Sequence, residues 1–179
     1  MVPRLLGHYE NFPEVIHGIA RFTCQSSTRK VQQAILSTLH KLNEQVFSLR
    51  SMATFSSSEC EVGFEFGIAE GIEFNYLDEE ESNRFQKSIV KKALPVLDFF
   101  YVVRYHIKKD GRLVPLKFDY HMLRFIFHDK NNLELQMSHQ RGVQRISVED
   151  LITFITKRVN DELSQNRLKP LALKSLRAL

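Results

Sequence analysis

A chain of 179 residues, 43% of them apolar, is long enough for one domain with a sizeable core, and two isolated cysteines exclude a disulfide framework and a cysteine-rich zinc site. The net charge of +4 permits nucleic acid without demanding it, because a dedicated duplex binder carries a larger basic excess on one face. No apolar run reaches the ~20 residues a membrane-spanning helix needs, and the opening MVPRLLGHYENFPE has no secretory pattern, so a cytoplasmic protein with no membrane contact is expected.

Residues 15–24 (VIHGIARFTC) alternate as a strand, with Cys24 on the core side. Ser26 or Ser27 then offers an N-cap, and Val31, Ala34, Ile35, Leu39, Leu42 and Val46 recur at helical spacing, which predicts a helix to about Phe47. Residues 59–68 alternate strictly: Cys60, Val62, Phe64, Phe66 and Ile68 against Glu59, Glu61, Gly63, Glu65 and Gly67. With a turn at 69–71 and Ile72, Phe74 and Tyr76 beyond it, they read as an antiparallel hairpin. Asp78 with Glu81 forms a capping box for a second helix that uses Phe85, Ile89 and Ala93 and stops at Pro95. Residues 97–139 read as a three-stranded meander with turns at Asp110-Gly111 and at 129–132. Ser147 caps a third helix whose buried stripe is Leu151, Ile152, Ile155, Val159 and Leu163.

These elements predict an α+β fold: one antiparallel sheet of about six strands in βαββαβββα order, helices mainly on one face, a single domain over 1–164, and a Leu-rich basic tail over 165–179. The first five elements resemble the ferredoxin-like and RNA-recognition folds in order alone. The aromatic signatures of the RNA-recognition motif are absent, and no family is identified.

Charge is segregated. Residues 59–81 hold nine acids and no Lys or Arg, whereas residues 165–179 hold four bases and no acid. An acidic hairpin of this kind blocks edge pairing and offers a surface for a basic protein partner. In the tail, Leu168, Leu171, Leu173 and Leu176 are too apolar to stay solvated, so docking or homo-oligomerisation through them is expected.

A two-residue turn at Asp110-Gly111 pairs Lys109 with Arg112. Counting back sets Tyr105 opposite Leu116, Val103 opposite Phe118, Tyr101 opposite Tyr120 and Phe99 opposite Met122, an apolar face. The other face then collects Phe100, Arg104, His106, Lys117, Asp119, His121, Leu123, Phe125 and Phe127, rings among cations, as a single-stranded nucleic-acid platform requires. Phe100, Phe125, Phe127 and His121 are the expected stacking residues. Arg104, Lys117 and Arg124, together with Arg141 and Arg145 beside Gly142, are the expected phosphate-facing ones.

Asp119, His121 and His106 form a conceivable acid–base cluster, but no nucleophile accompanies them, and no enzyme activity is expected. His128, Asp129 and His139 follow no metal-ligand spacing, so neither metal nor cofactor is expected. The function expected is a non-enzymatic module that binds single-stranded RNA or DNA on the basic aromatic sheet. The alternative is an assembly subunit that uses the second sheet face and the tail as an oligomer interface.

Overall fold

The computed structural model describes residues 5–53 and 60–179. Each of its helices starts at a residue whose side chain accepts the backbone N–H three places on: Ser27 before α1 (Thr28–Leu42), Asp78 before α2 (Glu79–Lys91) and Ser147 before α3 (Val148–Gln165). All three caps lie where the sequence places them. α1 contacts both α2 and α3, so the helices make one layer.

Among the described residues eight strands form one sheet: β1 (Gly18–Thr23), β2 (Val46–Ser48), β3 (Glu61–Glu70), β4 (Glu73–Tyr76), β5 (Val96–Lys109), β6 (Arg112–His128), β7 (Asn132–Gly142) and β8 (Ala172–Ala178). The order across the sheet is β2-β3-β5-β6-β7-β1-β8, with β4 also on β3, and every strand pair is antiparallel. The α+β class and single antiparallel sheet agree with expectation; the strand number is larger by β2 and β8. Glu59 lies outside the described residues.

β2 occupies residues that continue the helical spacing of α1. The helix stops at Asn43 because that side chain is committed elsewhere: its Oδ1 accepts from Phe66 N at 2.6 Å and its Nδ2 donates to the Leu77 carbonyl at 3.1 Å. Val46 and Phe47 then pair with Gly63 and Val62 on β3. A single 3₁₀ turn, Leu49–Ser51, follows, with Leu49 buried.

The C-terminal segment, expected to dock or to oligomerise, lies against its own chain as a strand. Residues 172–178 pair with β1 in the same chain, and the Leu179 N–H donates to His17 O at 2.7 Å. A segment too short to hold a helix alone finds partners for its backbone groups on the open edge of β1. Leu171 is buried, Leu168 and Leu176 pack on the core, and Leu173 is exposed. Three of the four leucines expected to form an oligomer interface therefore pack within their own chain.

The core lies between the helix layer and one sheet face, built from Val62, Phe64, Phe66 and Ile68 of β3, Leu97, Phe99, Tyr101, Val103 and Tyr105 of β5, and the α3 stripe. Burial pushes the Cys24 thiol up to about 11, which favours the inert form. No helix among the described residues is long and apolar enough to cross a membrane.

Candidate functional site

The register of β5 on β6 decides what each sheet face presents. The Asp110-Gly111 turn forms as expected, with positive φ at both residues (52° and 75°) and Lys109 opposite Arg112. Further along, His106 pairs with Pro115 and Tyr105 with Lys117, leaving Leu116 without a partner. That bulge moves β6 by one place, and a one-place move exchanges its faces. Tyr101 stands opposite His121, Phe99 opposite Leu123 and Leu97 opposite Phe125. The expected pairing of Tyr105 with Leu116, and the face derived from it, is corrected accordingly.

The residues assigned to one platform thus divide between two faces. Lys117, Asp119, His121, Phe125 and Phe127 share the helix-covered face with Tyr105, Val103 and Tyr101; Phe100, Arg104 and Arg124 lie on the outer face. His121 is 0% and Phe125 1% exposed, and Phe127 packs against the core. The His121 and Phe125 rings are fully buried and present no face to a ligand, and Phe127 is partly buried on the helix-covered face.

The outer face carries its own aromatic row. Tyr9, Phe74, Phe100 and Tyr120 follow one another with centroid distances of 4.6, 5.8 and 5.9 Å, and the Phe100 and Tyr120 rings are nearly parallel. Part of this face is covered by residues 5–17. Gly7, at φ +81°, lies between β3 and β5, giving its N–H to Ala69 O and accepting from Asp98 N; an added Cβ would meet Val96 O at 2.8 Å. Buried Asp98 accepts from Tyr9 N at 2.7 Å and is clamped by Arg124 at 2.7 and 2.8 Å, and Phe12 lies over the Arg124 guanidinium at 4.2 Å. Arg124 is therefore a structural cation. Arg104 is paired with Glu65, while exposed Arg141 stands opposite Tyr120.

Beyond this face the β5–β6 hairpin outruns its neighbours. Among the described residues, β3 pairs with β5 only as far as His106, and β7 pairs with β6 only as far as Asp119. Among the described residues, 107–109 and 112–114 pair only with each other, and Pro115, opposite His106, lacks an N–H where no further strand pairs with β6. Residues 107–117 hold Lys108, Lys109, Arg112 and Lys117 against the single acid Asp110. Lys109, Arg112 and Lys117 are exposed and make no ion pair among the described residues, and Leu113, Val114 and Phe118 stand exposed beside them. The sequence reading named Lys117 but missed the arm, whose signal is the run KKDGR between strands longer than any neighbour.

On the opposite face a second bulge, at Gln140, brings His139 of β7 opposite His121. Asp119, fully buried, has one carboxylate oxygen within 3.1 Å of His139 Nε2 and 2.8 Å of the Gln144 N–H, and its other oxygen accepts from the Tyr105 hydroxyl. Gly142, at φ +126°, closes against this group; an added Cβ would lie 2.3 Å from Asp119 Oδ1. Arg145 lies over the Tyr105 ring and donates to Cys60 Sγ at 3.3 Å. His121 stacks on Tyr101 with centroids 5.0 Å apart, and burial, helped by the neighbouring His139, pushes it down to about 3, so it is neutral. The backbone N–H of His139 donates to His17 Nδ1 at 2.9 Å. His106 is on the outer face, where an added Cβ on Gly63 would meet its ring, and His128 and Asp129 lie at the other end of β7, so neither expected His/Asp grouping forms as read.

Comparison with known protein families, curated proteins and solved structures found no match to this chain.

Proposed function

We propose that the protein is a non-enzymatic nucleic-acid-binding module that grips the phosphate backbone with the protruding β5–β6 arm and stacks bases of a single strand on the outer aromatic row. The observation that carries this reading is the arm itself. A two-stranded ribbon has little stability of its own, and this one, flanked by no third strand among the described residues, concentrates cations that make no ion pair among those residues beside exposed apolar side chains. Cations on a projecting ribbon reach phosphates without first breaking internal ion pairs, and each neutralised phosphate releases condensed counterions. Phe118, Tyr120 and Phe100 lead from the arm onto the sheet, with Arg141 next to Tyr120. Base-on-ring stacking supplies roughly 1–3 kcal/mol per base without demanding a particular sequence. Of the nine residues first expected to bind, Phe100 and Arg141 lie on the outer face with the aromatic row and Lys117 is exposed on the arm's other face; Arg104 would have to exchange Glu65 for a phosphate.

The test is fluorescence anisotropy of a labelled single-stranded oligonucleotide across a salt series. Four phosphate contacts predict a log–log slope of about −3, and Lys109→Ser with Arg112→Ser should make it shallower by about 1.4. Phe118→Ala with Tyr120→Ala should weaken binding while leaving the slope unchanged. An arm that fails to bind at low salt, with self-association lost on Leu113→Ser and Val114→Ser, would replace this reading by an assembly role.

A further inference from the structure

We propose that Asp119, His121 and His139 form a binding site for a divalent transition-metal ion such as zinc, on the helix-covered face and independent of the nucleic-acid surface. The three residues project from neighbouring strands, and one donor atom from each lies within 4.8 Å of the other two. Tetrahedral ligands at 2.0–2.1 Å from zinc are about 3.3 Å apart, so small side-chain rotations complete the set. Two imidazoles and one carboxylate are a donor combination that zinc and related ions accept.

The second observation is His121. It is 0% exposed, and among the described residues neither of its ring nitrogens has a hydrogen-bond partner. Buried polar atoms are almost always paired, because leaving one dry costs more than most single contacts return. A metal ion satisfies such a nitrogen, and a neutral imidazole is the form that ligates. The surroundings suit the same purpose. Tyr105 and the Gln144 N–H orient the Asp119 carboxylate, as supporting groups orient metal ligands, and the Gln144 contact ties the β7–α3 loop to the site. An ion there joins β6, β7 and that loop at one point.

The experiment titrates zinc chloride into metal-stripped full-length chain, read by calorimetry and by thermal unfolding, with cobalt(II) as a spectroscopic substitute. One zinc per chain and a raised Tm are expected in the parent. His121→Phe, which keeps a ring against Tyr101 but removes the donor, should fold and lose both, with affinity reduced beyond the roughly 10–100-fold that loss of a mere supporting group causes. Cobalt should show ligand-field bands without thiolate charge transfer, which separates this site from Cys24 and Cys60. Absence of stoichiometric zinc in the parent, a Tm rise that survives His121→Phe, or a thiolate band would each overturn the site. Should His121→Phe not fold, His139→Gln carries the same expectation, and undiminished zinc binding in it overturns the proposal equally.

Discussion

β5 and β6 make one hairpin with two unlike ends. At its base Leu97, Phe99 and Tyr101 oppose Phe125, Leu123 and His121, are flanked by further strands and are covered by helices, so every one of these side chains is buried. At its tip the same two strands pair, among the described residues, only with each other and expose Lys109, Arg112, Leu113, Val114 and Lys117. Backbone pairing alone therefore does not make a strand structural; what flanks it and covers it decides. The base holds the arm in place, and Ile107 ties the arm's root to the core.

The widest test of this contrast is truncation at the base: Phe125→Ala should cost about 3–5 kcal/mol in urea unfolding, as a fully buried ring leaves a cavity. Leu113→Ala at the tip should stay within about 0.5 kcal/mol. Arg124→Met comes next, at about 3 kcal/mol, because it strands the buried Asp98 carboxylate without its cation. In the C-terminal segment Leu171→Ala should cost about 2 kcal/mol and Leu173→Ala almost nothing, a difference in burial read directly as a difference in Tm. Lys109→Ser with Arg112→Ser and Lys117→Ser should leave Tm unchanged while reducing nucleic-acid affinity. A loss of stability there would show the tip to be structural after all. The smallest effect concerns Cys24: with its thiol pushed up to about 11 by burial, it should resist iodoacetamide at pH 8 in the folded protein and be alkylated only on unfolding, as mass spectrometry would show.

Much of the fold was legible because its signals are local. The caps at Ser27, Asp78 and Ser147, the α3 stripe, the β3–β4 hairpin and the Asp110-Gly111 turn each depend on residues a few places apart. The sheet faces were not legible because they depend on two unpaired backbone residues, one at each bulge. Leu116 and Gln140 look like ordinary strand residues, yet they set which faces carry His121, Phe125 and His139. The arm was missed for a related reason: its character comes from where the pairing of β3 and β7 stops among the described residues. β2 was hidden because Val46 fits the helical period of α1, and its fate was decided by the bonds Asn43 makes to Phe66 and Leu77.

The position of β1 has a temporal consequence. It pairs on one side with β7 and on the other with β8, so residues 18–23 wait for partners more than a hundred positions later in the chain. During synthesis the strand waits for its first neighbour until β7 has followed it and for its second until β8 has, so both of its pairings are late, non-local steps relative to its own appearance. Until then its row of free backbone groups is a template for other extended chains, and assistance from a holding chaperone would matter most for this stretch.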